Sequence, residues 1–433
     1  MRLIGNKTKL LGEIQQLLAE RGIAGGTLID VFCGSASVGR HFKRLGFRVI
    51  ANDRLSMCYA QAVAGIAVGH YPGFRDFREK YGRIILSRTF QESLRASYRL
   101  GEDESGEDTW PHKALPLLET VHFLNLLVDP REGLIFRSFS PGGTAGRRYF
   151  RDDNGRKIDG ILEFLRNAYR SGLVKYHEFY LLLVSLLDAA DRVANISGTY
   201  GAFLKSWQSS SLKDIVLRPR RVVESSLRNR AYREDGNRLS RKVGGDVLYV
   251  DPPYNQRQYA ANYHVMEIMA EYHTVDDLDR FERSLYGKTG LRPYDDLKSL
   301  YCVPPGRRNT SGDALTAMTD LILSSRAKHV VVSYNEEGLL SLDQIGELLA
   351  KYSGKRSFNY QRDFRPVIYK RFRSDRNRRS ATGDGTRTYR VIDGRKPNEV
   401  AEWLFFATRT GVKEPNPTAE AGSRRAAVLA HRG

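Results

Sequence analysis

The sequence predicts an α/β protein in which one sheet draws its strands from both ends of the chain around a largely helical insertion. Three observations carry that expectation. A strand–helix–strand pattern occupies the first fifty or so residues, β-prone runs return only after residue 243, and most of the stretch between has the period of helices.

Taken in order, Leu10, Leu11, Ile14, Leu17 and Leu18 fall on one face of a helix that ends near Gly22. Thr27 to Phe32 is a β-prone run, followed by the small-residue loop Cys33-Gly34-Ser35-Ala36-Ser37. A helix from Gly39 to Leu45 and a strand from Phe47 to Ala51, ending in Asn52-Asp53, complete a βαβ unit. From about Tyr71 to Val243 the pattern changes. Helical periodicity spans Leu117 to Val128, Ile158 to Tyr169 and Tyr180 to Val193, separated by glycine-rich or charged loops such as Ser138 to Arg148. The acidic stretch Glu102 to Asp108 reads as an exposed loop. Strand signals return at Asp246 to Val250, His329 to Ser333 and Glu402 to Ala407. The expected organisation is a discontinuous sheet-bearing domain (1–70 and 244–409), an insertion (71–243), a basic segment within the first domain (354–396) and a frayed tail (410–433).

At 41% hydrophobic and 27% charged residues, the composition excludes a disordered chain and a membrane-embedded one. The chain has no apolar run long enough to span a bilayer, and its first residues lack a secretory signal pattern, which predicts a cytoplasmic protein. Cys33, Cys58 and Cys302 match no disulfide or zinc spacing, so reduced thiols and no metal are expected. The net charge of +19 points to a polyanionic partner. Between Lys351 and Lys396 fifteen basic residues face four acidic ones, which places more than half of the excess in about a tenth of the chain. Tyr360, Phe364, Tyr369, Phe372 and Tyr389 are interleaved with them, as where guanidinium groups meet phosphates and rings meet bases. A solvated basic loop with a few packed rings is the alternative.

A glycine turn beyond a parallel strand lets backbone approach a ligand, and Asp30 to Gly39 has that character. Ala36 stands where a dinucleotide fingerprint would carry its second glycine, so a plain tight turn and a nicotinamide site both stay open. Asp53, at the end of the next strand, is placed to accept from ribose hydroxyls or another polar group. More specific is Asp251-Pro252-Pro253-Tyr254, directly after the strand Val247 to Val250, a string expected by chance in only about one chain of this length in several hundred. Two prolines fix φ twice and remove two donors, so a carboxylate, a free carbonyl and a ring share one small volume. That set suits an exocyclic amine. A carboxylate oxygen of Asp251 and the Pro252 carbonyl can accept both N–H hydrogens of adenine N6, favouring the sp³-like nitrogen that develops as it attacks, while Tyr254 stacks on the base. The amine is out of reach inside a duplex, so the nucleotide must leave the stack. A structural Pro-Pro turn with a capping Asp is the alternative.

Asp251 to Tyr254, together with Asp30 to Ser35, resembles the amino-group DNA methyltransferases that use S-adenosylmethionine. The order of parts resembles their alpha group: a short N-terminal motif (Arg2 to Lys7), the cofactor loop (Phe32 to Gly39), an acidic strand end (Asn52-Asp53), a target-recognition region, then the catalytic tetrapeptide. Further similarity to modification methyltransferases of type II restriction systems runs through Asn255 to His264, Val332 to Gly338 and Asn195 to Lys205. The resemblance covers roughly residues 1–408. It implies a Rossmann-like S-adenosylmethionine-dependent sheet of seven mostly parallel strands with a largely helical target-recognition insertion. It implies adenine-N6 methylation of double-stranded DNA, with a cognate restriction endonuclease as a separate partner, no metal, and a bacterial or archaeal host. RNA adenine-N6 or DNA cytosine-N4 methylation, or a catalytically silent DNA-binding protein, are the alternatives. By position, Leu3 and Lys7 would border the methionine end of the cofactor. Phe32 would pack beside it, Gly34 and Ser35 would allow its approach, Asp53 would bind its ribose, and Asp251 would lie between its amino group and the target N6.

Other candidates remain two-sided. His264 is either a base or, more in keeping with its place, a helix-start residue that holds the catalytic loop. Tyr334 and Asn335 either line a base pocket or pack. Arg257 and Gln258 either contact DNA or lie in an exposed loop, and Arg371, Arg373, Arg376, Arg378 and Arg379 are expected on the DNA backbone. Cys33 has no paired base, which argues against nucleophilic catalysis by its thiol.

Overall fold

The computed structural model describes residues 3, 5–101, 109–307, 311–370 and 399–413. Its centre is a seven-stranded sheet: β1 (Thr27–Asp30), β2 (Arg48–Asn52), β3 (Arg230–Tyr232), β4 (Val247–Val250), β5 (His329–Asn335), β6 (Phe364–Lys370) and β7 (Glu399–Thr408). The strands lie in the order β3-β2-β1-β4-β5-β7-β6. Pairings β1–β2, β1–β4, β2–β3 and β4–β5 are parallel, whereas β7 runs antiparallel to both β5 and β6.

Strands covered on both faces must be apolar along their whole length, and every residue of β4 and β5 is buried. Alternate residues supply two cores. Leu28, Val247 and Val331 face the side covered by helices α1 (Leu11–Ala19) and α2 (Ser37–Arg44). Ile29, Leu248 and Val330 face the side that also buries Met318, Leu321, Ile345 and Leu349, from the helices Ala314–Ser324 and Leu342–Tyr352.

A third core belongs to the inserted helices, among them Leu115–Leu127, Asp152–Arg170 and Tyr176–Val193; the last two contain the expected periodic stretches and the first ends one residue short of its expected Val128. It is shared with α3 (Ser56–Ala62), which follows β2, and with His264–Glu271, which follows β4. Val265, Met266, Ile268 and Met269 of the latter are fully buried in it. The tetrapeptide Asp251–Tyr254 is therefore joined to the insertion through a packed helix.

Two strands depart from the expected organisation. Arg230–Tyr232 lies within the stretch expected to be helical insertion, yet pairs with Ile50, Ala51 and Asn52 at the sheet edge. The boundary expected at 243 is thus displaced; three residues on a half-exposed edge show too little alternation to read as a strand. Phe364–Lys370 falls within the expected basic segment (354–396), and it is a sheet strand whose Phe364 pairs opposite Phe405. Residues 371–398 and 414–433, and the acidic stretch from Glu102 to Asp108, lie outside the described residues.

Helix α3 has no side-chain cap of its own; the buried Glu267 carboxylate accepts from the Ser56 and Met57 amides at 2.6 and 3.0 Å. Glu267→Ala leaves both buried donors without an acceptor and should cost about 2–5 kcal/mol in denaturant unfolding. Glu267→Gln should cost less, and wild-type stability in both would remove the cap from the account.

Candidate active site

In a doubly wound sheet, ligands bind beyond the carboxyl ends of the strands where the order reverses. Here the reversal falls between β1 and β4, and a cavity of about 480 Å³ opens at their carboxyl ends, within the size range of small-molecule sites. Leu3, Lys7, Phe32, Gly34, Ser35, Asp53, Asp251, Pro252, Pro253 and Tyr254 all line it. Segments far apart in the chain are thus brought to one wall.

The loop after β1 is held by Asp53, whose Oδ2 accepts from the Gly34 amide at 3.0 Å and whose Oδ1 accepts from the Leu55 amide at 3.0 Å. Burial raises this carboxyl, and the amide bonds oppose the rise. Gly34 has φ +50° and Ala36 has φ +57°, so the turn uses the left-handed region twice. At Ala36 that conformation costs about 1–2 kcal/mol, offset by a methyl buried under α1 and α2. The departure from glycine leaves the turn intact.

Asp30 is buried at the end of β1, with Oδ2 accepting from the Gly39 amide at 3.2 Å. Its Oδ1 has no hydrogen-bond partner. Burial first, and the nearby Asp251 charge second, raise this carboxyl to about 8. A buried acceptor without a donor, in the wall of a cavity, fits a ligand that brings an N–H group.

Opposite, the Lys7 ammonium lies 2.9 Å from Asp251 Oδ1 and 2.8 Å from Glu402 Oε1. The three side chains are only 5%, 17% and 1% exposed. Burial alone would lower Lys7, but the two carboxylates hold it well above the ordinary lysine range. Burial raises Asp251; Lys7 pulls it down and Glu402 pushes it up. Ser333 Oγ donates to Glu402 Oε1 at 2.6 Å, fixing the far carboxylate. Lys7 was expected at the methionine end of a cofactor; it lines the cavity, with its ammonium engaged by these two carboxylates.

The two-sided candidates separate. Tyr254 is half-buried on the cavity wall, its carbonyl accepting from the Leu339 amide at 3.0 Å. Tyr334 packs behind it, 1% exposed, its hydroxyl accepting from the Leu340 amide, and Asn335 Oδ1 accepts from the Glu337 amide to close a turn. His264 is fully buried, its ring nitrogens 2.9 and 2.8 Å from the Ala261 and Thr289 carbonyl oxygens, and burial lowers its pKa; it holds loops together away from the cavity wall. Burial pushes the Cys33 thiol up, away from the nucleophilic thiolate. Arg257 is exposed, whereas Gln258 exchanges two hydrogen bonds with the Ser299 backbone on the cavity rim. Arg371, Arg373, Arg376, Arg378 and Arg379 lie outside the described residues.

Sequence reasoning missed Glu402, although it is the only charged residue in the apolar run Val400 to Ala407. It also missed the wall formed by Asp235, Asn237 and Tyr301. The Tyr301 hydroxyl donates to Asn237 Oδ1 at 2.7 Å, and its ring meets Phe32 edge-on at 4.9 Å. Nothing in local spacing signals that wall. Among the described residues no group of three or more His, Cys, Asp or Glu is placed to hold a metal ion, and no helix is long and apolar enough to cross a membrane.

Sheet order, glycine turn and acid-lined cavity define an α/β enzyme with a small-molecule site at its topological switch point. Residues 3–337 match the model of the D12 class N6 adenine-specific DNA methyltransferases, and the chain belongs to that family. It is 32% identical over 381 residues to the type II methyltransferase M.NlaIII of Neisseria lactamica, covering 87% of this chain and 93% of that protein. It is 33% identical over 355 residues to the type II methyltransferase M.FokI of Planomicrobium okeanokoites, and 31% identical over 354 residues to the modification methylase StsI of Streptococcus sanguinis. These matches cover 81% and 82% of this chain but span only about half of the two relatives, 47% and 46%. No solved structure matches the chain.

The folded value of Asp30, about 8, lies above the ~3.9 of an unfolded aspartate. Its contribution to stability is therefore full below about pH 4 and is lost as pH rises through 8. Without ligand, the unfolding free energy should fall between about pH 4 and pH 8, and Asp30→Asn should flatten that slope. Equal slopes in both proteins would remove Asp30 as the cause.

Proposed function

We propose that this chain is a site-specific DNA methyltransferase that moves a methyl group from S-adenosylmethionine to the N6 amine of an adenine turned out of double-stranded DNA. The observation that carries the reading is the Asp251 carboxylate, set at a strand end in a cavity wall and gripped by Lys7, in a chain of the D12 family. The names of M.NlaIII, M.FokI and StsI support a place as the modification enzyme of a restriction–modification system.

The cavity suits S-adenosylmethionine, which when bound supplies the activated methyl group. Asp30, with an orphaned acceptor, would take an N–H donor such as the ligand's amino group; Asp53 keeps lone pairs for ribose hydroxyls beyond its two amide bonds. The backbone at Leu3, Gly34 and Ser35 leaves room, and Phe32 supplies an apolar wall.

Asp251 and the Pro252 carbonyl accept the two hydrogens of the target amine, which stabilises the nitrogen as its lone pair turns toward the methyl carbon. Tyr254 supplies a ring for stacking, offsetting part of the few kcal/mol that base extrusion costs. Lys7, anchored by Glu402, orients Asp251 without reaching the base. The proton released from the methylated amine passes to Asp251 or to water.

Asp251→Ala should lower methyl transfer by about 10²–10³-fold or more. Single-molecule sequencing of DNA from a methylation-free bacterial host should show N6-methyladenine in one sequence context with the wild type and none with the variant. Unmodified DNA from soluble wild-type protein would overturn the reading. Glu402→Gln should lower kcat about tenfold, or about 1.4 kcal/mol, and leave the KM for DNA unchanged. A change confined to KM would place Glu402 in substrate binding instead.

A further inference from the structure

Three loops converge on the turn Tyr259–Asn262, five residues beyond the catalytic tetrapeptide, and none of them contains a carboxylate. They are 140–148 and 196–208 from the insertion, and the hairpin 286–291 from outside it. Arg147 ties the first to the third, donating to the Lys288 carbonyl at 3.0 Å and the Gly287 carbonyl at 3.1 Å. Arg148 ties the first to the second, donating to the Lys205 carbonyl at 2.6 Å. The second is tied to the turn by the Tyr200 amide, which donates to the Asn262 carbonyl at 2.7 Å. The third is tied to it by His264, whose ring spans the Ala261 and Thr289 carbonyls.

The backbone beneath this arrangement is rigid. A Cβ at Gly143 would lie 2.2 Å from the Phe136 carbonyl oxygen. One at Gly290, where φ is +72°, would lie 3.0 Å from the Arg147 guanidinium carbon. Both loops are therefore folded tightly onto what lies under them.

What the loops display is positive. Arg148, Lys205 and Lys288 are exposed, and none has a carboxylate at ion-pair distance among the described residues. Some other surface cations are paired, as in Arg156–Glu132, Arg170–Asp276 and Lys298–Asp295. Tyr286 is 47% exposed on the hairpin and Trp207 half-buried on the second loop. Cations without counter-charges, fixed to the catalytic turn, fit a regular polyanion lying across the mouth of the site.

We propose that loops 140–148, 196–208 and 286–291 form the duplex-DNA face beside the extruded adenine, with Arg148, Lys205 and Lys288 on backbone phosphates. This rests on the reading of the chain as a DNA methyltransferase. It narrows the target-contacting part of the insertion to two loops and adds a hairpin that lies after the catalytic tetrapeptide. Because two of the loops are bonded to the turn that follows Tyr254 and the third to those two, phosphate contacts here set the register of the duplex relative to Asp251.

The test compares wild type, the triple variant Arg148→Ala/Lys205→Ala/Lys288→Ala, and a control triple, Lys80→Ala/Arg83→Ala/Arg88→Ala, on exposed positions of the insertion. DNA from a methylation-free host serves for binding at several salt concentrations and for methylation. The loop triple should lower the slope of log K against log salt by about 2–3, at about 0.9 per phosphate contact, and raise the KM for DNA about tenfold or more. Calorimetric binding of S-adenosylmethionine to the same protein should match wild type, which confirms a folded variant; Lys288→Glu alone should raise KM in the same direction. A wild-type slope in the loop triple, or an equal loss in the control triple, overturns the proposal. Absence of methylation by the wild type overturns the underlying reading instead, so the two failures are distinguishable.

Discussion

Lys7 brings one positive charge between Asp251, on the cavity wall, and the buried Glu402 behind it, and the sheet's arrangement at the site depends on that contact. The three residues come from the N-terminal segment, the end of β4 and the last strand of the sheet. No pair of them is close in sequence. Separating buried charges from their partner costs several kcal/mol, so this ammonium pins the first residues and the last strand to the central strand of the sheet. It also sets the electrostatics of the wall: a carboxylate that burial raises is pulled back down by the Lys7 counter-charge.

Around that contact the sheet order supplies the cavity. Because β1 and β4 are neighbours whose connections lead to opposite sides of the sheet, their carboxyl ends are left uncovered, and Asp30 and Asp251 face a shared space. In this low-dielectric wall, burial and then the Asp251 charge raise Asp30. The unpartnered Asp30 Oδ1 in this wall fits a group that brings N–H donors, which is what the proposed S-adenosylmethionine site asks of it.

The segment after Tyr254 is tied to the rest of the molecule in two directions. Toward the loop after β1, Glu267 caps the helix that follows Asp53. On the other side, Asn262 bonds to the insertion loop 196–208 and His264 to the hairpin 286–291, both of which carry exposed cations. Both sets of bonds thus rest on one short segment, 251–271. A shift in one would be felt by the other through bonded neighbours rather than through a long path.

Much of this was legible beforehand, for physical reasons that differ by element. The βαβ unit, the long inserted helices, β4 and β5 were readable because burial of one or both faces imposes local periodicity. Asp251 to Tyr254 was readable because two prolines constrain the backbone within four residues. The edge strand Arg230–Tyr232 was not, since three half-exposed residues leave no pattern. Lys7 and Glu402 could not have been paired from sequence, because their separation of nearly the whole chain is closed only by the antiparallel insertion of β7 beside β5. The linking of three acid-free loops to one another and to the segment 259–264 is of the same kind. By itself the sequence determined the chemical groups and the local backbone that presents them; tertiary structure alone decided which charges face one another, because Coulomb contacts depend on distance in space and not along the chain.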